Sequence, residues 1–383
     1  MKIAVTILAF CVAALLALGM VMLYSSSMAQ AGAHYLVKQL AGCAVGVVLC
    51  VTAVVLDYRH LKKFAWPLFL LGVVLLTLVF VPHIGIRSHG AARWVGYRKT
   101  AFFQPSEFAK LALLVALAWY CERFQRQMPT LKRGVVIPAL FIGVVLALIF
   151  KEPDVGTMLL LATVSGMMLL IAGSRLRYFL PPVIAAAIGI SVFIYHNPMR
   201  SGRIHSWLHV EETKQNTGHQ AYEAMVALGS GGLTGKGLGD SRQKLGFLPE
   251  QHTDFIFSII GEELGLIATL LVLVAFVAIV FCGAYIAMNS ADTFGTLLGS
   301  GITLLIGLQA LINIGVVTSA LPNKGLPLPF ISYGGSNLVI MLLGVGILFS
   351  VARQGRETDG VVRNRTTEGD VANPFARSTG PQP

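Results

Sequence analysis

Charge is scarce in this chain. Only 12% of its 383 residues are Asp, Glu, Lys or Arg, and just 18 are acidic. A soluble domain needs a charged surface, whereas here 55% of the residues are hydrophobic and the mean hydropathy is +0.73. The bilayer is the solvent that fits such a composition. Cysteine is scarce too. The five thiols, Cys11, Cys43, Cys50, Cys121 and Cys282, all fall in or at the ends of apolar runs. An odd, membrane-embedded set argues against both a disulfide framework and a zinc site. The net charge is +11, yet the basic residues are scattered between apolar segments rather than clustered. That pattern fits membrane topology and argues against nucleic acid as a partner.

Long apolar runs are what the chain has in abundance. Runs able to cross ~30 Å of hydrocarbon occur at 3–24, 39–56, 64–82, 105–120, 134–150, 155–172, 178–195, 255–287, 295–320 and 335–352. They predict an all-α integral membrane protein with ten transmembrane helices. The first run follows Lys2 and precedes Ala29-x-Ala31, imitating a secretory signal. It exceeds the roughly 7–15 residues of a signal core and is read as a retained helix. Loops 57–63, 121–133 and 173–177 hold three, four and two Lys/Arg, against one each in 25–38 and 151–154. The positive-inside rule then places both termini in the cytoplasm. A membrane domain of residues 1–352 follows, with a large extracytoplasmic loop at 196–254 between the seventh and eighth helices. Residues 353–383 read as a disordered cytoplasmic tail.

Two outward segments break the charge rule. Residues 83–104 carry Arg87, Arg93, Arg98 and Lys99, and residues 196–254 carry Arg200, Arg203, Lys214, Lys236, Arg242 and Lys244. Solvated loop charge is one account of them. An outward-facing anion site is the other, since guanidinium and ammonium groups bind phosphate oxygens.

Acids and bases also stand inside or at the mouths of the spans. Glu107 and Lys110 share a helix face, as an interfacial ion pair or as part of a site. Glu152 and Asp154 flank Pro153 at a helix start, where capping alone accounts for them. Asp254 occupies another position suited to capping. Glu262 lies eight residues further on, ~12 Å along a helix. There Glu262 and Glu263 must face protein, water or a partner, because an unpaired carboxylate in lipid costs a few kcal/mol.

The long loop is not featureless. HQAYEAMVALGSGG has helical spacing and predicts a short helix lying on the bilayer. GSGGLTGKGLGDS fails as a phosphate-binding loop, with Ser230 and Gly237 at two required positions, and reads as a flexible hinge. His205 and His209 have metal spacing but no third ligand in register. LPNKGLPLPFISYGGSN is too rich in Pro and Gly for regular helix, so near a membrane it must pack on protein or line a cavity.

Six of these segments, LPEQHTDFIFSIIGEELG, GLTGKGLGDSRQKLG, HGAARW, FQPSEFAKLA, EPDVGT and KGLPLPFISYGGSN, resemble in type and order the SEDS family (shape, elongation, division and sporulation). The resemblance covers about residues 5–352. It implies ten transmembrane helices in the bacterial cytoplasmic (inner) membrane and a peptidoglycan glycosyltransferase activity. The implied substrate is lipid II, a disaccharide-pentapeptide on undecaprenyl diphosphate, polymerised on the outer face. The implied partners are a class B penicillin-binding protein and other division proteins, amid membrane lipids. The QKLG and KGLPLPFISYGG segments are closer to the division branch of the family than to the elongation branch. Ala92 stands where the family often has a first arginine before Arg93 and Trp94, and Glu223 and Ala224 replace the usual glutamine and serine.

By that resemblance Asp254, in the HTDF segment, is the catalytic residue, acting as general base on a sugar hydroxyl. Arg93, Trp94, Lys110, Arg242, Lys244 and Lys324 are expected to meet the substrate, the basic ones stabilising the diphosphate leaving group. Glu107, Glu152, Asp154, His252, Glu262 and Glu263 are expected to support them. A divalent cation, Mg2+ or Mn2+, suits a diphosphate, though no ligand cluster marks one. The rivals are an elongation-branch polymerase of the same family, a lipid II transporter, in which the intramembrane acids are essential, and a non-catalytic division scaffold.

Overall fold

In lipid no water bonds the peptide groups, so each apolar run must close its own hydrogen bonds as a helix. The computed structural model describes residues 1–371 except Ala33, His89, Gly90, Arg98, Lys99, Asn197, Thr217, Phe247, Pro249, Glu250 and Lys324. Each predicted apolar run falls largely in a helix, with 79–82 and 318–320 lying beyond the helix ends. These are α1 (Lys2–Ala31), α2 (His34–Val55), α3 (His60–Leu78), α4 (Pro105–Arg123), α5 (Ile137–Lys151), α6 (Val155–Ile171) and α7 (Leu180–Tyr195). After two short helices, α8 (Pro198–Leu208) and α9 (His219–Ser230), come α10 (Ile256–Met288), α11 (Thr293–Val317) and α12 (Gly335–Val371). Among the described residues seven helices are long and apolar enough to cross a membrane: α1, α2, α3, α5 with its preceding turn, α10, α11 and α12 up to Arg356. The chain is a multi-pass membrane protein. Of the other three runs, α6 and α7 are short, and α4 carries Glu107, Lys110, Glu122 and Arg123. α12 continues beyond residue 352 into the polar segment expected to be a disordered tail.

The charged helix is the central one. α4 is buried over most of its length, Glu107 and Lys110 included, and packs against α3, α5, α6, α11 and α12. α2 lies along α12. At the end remote from Asp254, Asp292 ties three connections together. Its carboxylate accepts from Tyr58 Oη (2.9 Å), Lys62 Nζ (3.1 Å) and Arg59 Nε (3.3 Å), while Lys62 also reaches Glu122 (2.7 Å). Asp292 also caps α11 through the Gly295 N–H. Burial pushes its pKa up, but the Gly295, Tyr58 and Lys62 hydrogen bonds outweigh this and hold it below the ordinary aspartate value.

Two expectations need correction. The fold is mostly rather than wholly α-helical, because residues 85–103 form an antiparallel sheet of order β1-β2-β3: β1 (Gly85–Ser88), β2 (Ala91–Tyr97) and β3 (Thr100–Phe103). Lying between α3 and α4, this segment bonds its peptide groups to one another, with Trp94 opposite Ile86 and Val95 opposite Phe103. The glycine-rich stretch after α9, expected to hinge, is instead bonded to α10. Leu266 N donates to Gly232 O (2.9 Å), Ile267 N to Leu233 O (3.2 Å) and Lys236 N to Glu262 O (3.0 Å). α9 itself packs on α10.

This docking works because α10 is broken. Gly265 has φ 80° and ψ −174°, a conformation open essentially to glycine. The carbonyls and amides freed at the break are met by residues 232–237. A Cβ on Gly265 would lie 2.4 Å from both Gly235 N and Leu233 O. Gly265→Ala is therefore expected to destabilise the fold by at least ~1–3 kcal/mol, read as a lower melting temperature in detergent. An unchanged melting temperature would show that the break is not under steric constraint.

Candidate active site

The segment before α10 is held by its backbone. Three successive carbonyls are taken: His252 O by Tyr333 N (2.9 Å), Thr253 O by Ser332 Oγ (2.5 Å) and Asp254 O by Asn313 Nδ2 (2.8 Å). The His252 ring stacks on Tyr35 at 4.6 Å, and Tyr333 meets Tyr35 edge-on. Phe255 is buried and takes the cap position of α10, so Asp254 stands one residue before the cap, half-buried. The Pro-rich segment walls this site. A Cβ on Gly325 would lie 2.8 Å from Asp254 Oδ2, so a side chain at this position would crowd the carboxylate.

Below Asp254 runs a chain of buried polar groups. Lys110 Nζ pairs with Glu107 Oε2 (2.8 Å) and donates to Gln309 Oε1 (3.1 Å). Asn337 Nδ2 donates to the same Glu107 oxygen (2.9 Å), and Gln309 Nε2 to Pro327 O (2.9 Å). Lys110 is fully buried, so its ammonium serves this network rather than an open surface. Removing one partner of such a pair leaves an uncompensated buried charge, at a cost of ~3–5 kcal/mol.

Glu262 and Glu263 are buried as well, and the long loop supplies their counter-charges. Glu262 accepts from Lys236 Nζ (2.8 Å), Ser241 Oγ and the Arg242 and Gln243 N–H groups (3.2 and 3.3 Å). Glu263 accepts from Lys244 Nζ (2.9 Å) and from Ser25 Oγ of α1 (2.8 and 2.7 Å). Lys244 is itself buried, so it anchors the loop to α10 and α1. Arg242 exposes its side chain, which leaves its guanidinium open to an anion. Lys324 lies outside the described residues, as do Arg98, Lys99 and the side chains of Arg87, Arg200 and Arg203.

The sheet reaches the α5–α6 turn. Arg93 on β2 donates to the carbonyls of Glu152 (3.2 Å) and Pro153 (2.7 Å). Trp94 beside it is half-buried. Asp154 caps α6 by accepting from the Thr157 N–H (3.1 Å) and hydroxyl (3.0 Å). The Glu152 carboxyl is fully buried, with neither oxygen bonded to a described residue. Burial, then the Asp154 charge, push its pKa up to about 8, against the pull of Arg93.

Sequence reasoning missed the amides. The amides Asn313, Gln309, Asn337 and Gln39 and the Ser25 hydroxyl all join these networks, with Gln39 bonding Ser332 O and the Gly334 N–H. The signal was present for two of them, since Gln309 and Asn313 are polar residues one helical turn apart in an otherwise apolar run. Among the described residues no group of three or more His, Cys, Asp or Glu gathers to hold a metal. Glu107, Glu262, Glu263 and Asp154 are engaged by Lys, Asn, Ser and Thr side chains or backbone amides rather than gathered round a common point.

The buried Glu152 generates a pH prediction. Its folded pKa lies above the unfolded value, so the folded state binds the proton more tightly. Stability is then fully present below the unfolded pKa of about 4.5 and lost as pH rises towards about 8. Glu152→Gln removes the titration. The melting temperature of this variant relative to wild type is expected to rise across that window and level off above it. A difference independent of pH would show that Glu152 is ionised throughout.

Comparison with known proteins agrees with this fold. The chain matches the FtsW/RodA/SpoVE family, described as cell cycle proteins, over residues 6–357. It is 39% identical over 352 residues to a probable peptidoglycan glycosyltransferase FtsW of Geobacter metallireducens, covering 90% of this chain and 93% of that one. Stage V sporulation protein E of Bacillus subtilis is 37% identical over 354 residues, covering 89% and 95%. Among solved structures, a chain of a peptidoglycan synthase complex that coordinates polymerisation and crosslinking superposes with a TM-score of 0.74 at 28% identity, covering 91% and 97%. The rod shape determining protein RodA of Thermus thermophilus superposes at 0.67 with 28% identity, covering 90% and 95%. With its six motifs in order and relatives matched along nine-tenths of its length, the chain belongs to the FtsW/RodA/SpoVE family, the SEDS proteins.

Proposed function

We propose that this protein is a peptidoglycan glycosyltransferase that polymerises lipid II during septal wall synthesis, with Asp254 as general base. One observation carries the residue assignment. Asp254 stands half-buried one residue before the cap of α10 with its backbone carbonyl held by Asn313, whereas Glu107, Glu262 and Glu263 lie buried against Lys110, Lys236 and Lys244. The proposed topology has ten membrane crossings within residues 1–352, both termini in the cytoplasm and the Asp254 end on the outer face. The proposed partner is a class B penicillin-binding protein. The likeness to a chain from a synthase complex supports that choice.

In the proposed step the Asp254 carboxylate takes the proton of the acceptor sugar's 4-hydroxyl. The oxygen attacks the anomeric carbon of the donor, a new C–O bond forms, and the bond to the lipid diphosphate breaks with its electron pair leaving on phosphate oxygen. Proton removal in the transition state contributes ~10²–10⁴-fold. Charge grows on the departing diphosphate, so exposed guanidinium and ammonium groups at the mouth stabilise it. Arg242, whose side chain is exposed, is proposed for this role, with Lys324 alongside it. Lys110 and Lys244 act at one remove, by holding the walls of the site. The diphosphate is itself a ligand for Mg2+ or Mn2+, and no step above runs through such an ion.

Asp254→Asn keeps the side-chain shape and removes the base. It is expected to insert and fold as wild type yet lose at least ~10²-fold in polymerisation of purified lipid II. Gel analysis of glycan product checks this, with lipid II translocation in liposomes followed in parallel. Wild-type polymer from the variant would overturn the base assignment. Translocation without polymer in the wild type would replace the enzyme with a transporter.

A further inference from the structure

We propose that Asn313, together with Gln309 one helical turn before it, is a positioning residue for the catalytic carboxylate, and that Gly325 sets where that carboxylate rests. This rests on the reading of Asp254 as base. Asn313 lies in the apolar stretch LLIGLQALINIGVV of α11 and is almost completely buried. An amide in such a helix is tolerated when protein meets its donors, although Asn313 Oδ1 finds no partner among the described residues. Here its two N–H bonds join two separate connections, one to Asp254 O (2.8 Å) and the other to Leu326 O (2.8 Å). Gln309 reaches the next carbonyl of the same segment, Pro327 O, while accepting from Lys110. The intramembrane ion pair Glu107–Lys110 is thereby linked through Gln309 to the Pro-rich loop, and Asn313 ties that loop to the backbone of Asp254.

That loop leaves little space beside the reacting group. Gly325 leaves no room for a Cβ, which would fall 2.8 Å from Asp254 Oδ2. The backbone of Asp254 is pinned by Asn313 and its carboxylate is bounded by Gly325. A base must reach its proton within hydrogen-bond distance, and a misplacement of ~1 Å costs ~10²-fold in rate. α11 is thus the ruler for the site, while touching no substrate itself.

The test uses the full-length chain in lipid with purified lipid II, together with its transpeptidase where the wild type requires one. Asn313→Leu removes both bonds. Asn313→Asp keeps the shape but turns a carboxylate on two carbonyls. Gly325→Ala leaves α11 intact and pushes on the carboxylate alone. All three are expected to lower kcat ~10–100-fold per folded molecule, with KM for lipid II little changed. The acidic limb of the kcat–pH profile is expected to move, which a simple loss of folded protein would not do. Hydrogen exchange at residues 252–256 is expected to quicken in Asn313→Leu. The proposal is overturned if the limb stays in place and kcat falls only in proportion to folded protein, or does not fall, while Asp254→Asn is inactive. If Asp254→Asn polymerises normally the base reading fails. Exchange at 252–256 then decides the positioning claim alone, quickening to support it and unchanged to refute it.

Discussion

A carboxylate held out of water must meet cations and N–H donors, and the arrangement of the Asp254 end follows from that demand. Glu262 and Glu263 sit side by side in α10, where lipid offers neither. They point to different partners: Lys236, Ser241 and two backbone amides on one side, Lys244 and Ser25 on the other. To deliver those groups the long loop must descend onto α10. It can do so because Gly265 breaks the helix and opens peptide groups that residues 232–237 complete. A charge pair, a glycine and a loop are parts of one solution.

The same demand, met on α4, organises the opposite wall. Glu107 and Lys110 neutralise one another in the bundle centre, and Asn337 and Gln309 fill the bonds that remain. Through Gln309 and Asn313 this polar core reaches the Pro-rich segment and the backbone of Asp254. Two buried ion systems therefore flank one half-buried acid. Its rigidity comes from three carbonyls bonded in sequence, from the stack of His252 on Tyr35, and from the buried Phe255 beside it. Electrostatic preorganisation of this kind suits a reaction in which a proton leaves one oxygen while charge gathers on a phosphate.

The far end of the bundle is tied independently. Asp292 gathers Tyr58, Arg59 and Lys62, and Lys62 carries the link on to Glu122. These contacts are more exposed, so each is worth less than the buried pairs. With one end pinned by surface charge and the other by buried charge, the long helices between them are aligned by apolar packing around α4.

The membrane class, the helical runs and the identity of the acids could be read from the sequence, because hydropathy and charge are local and a carboxylate in lipid is conspicuous wherever the chain folds. The family motifs singled out Asp254 among them. The Glu107–Lys110 pair, three residues apart on one helix, was legible too, but pairing between distant segments was invisible. Nothing local distinguishes Lys244, buried against Glu263, from Arg242 two residues earlier, which stays exposed. The glycine-rich stretch read as a hinge because glycine is permissive in isolation; only the break at Gly265, some thirty residues away, turned it into a fitted strap. The amides of α11 carried a faint signal of their own, but which carbonyls they bind depends on two loops brought over them by the fold. Local chemistry determined what must be satisfied, and tertiary structure decided by what, since hydrogen bonds and ion pairs are set by distances in space.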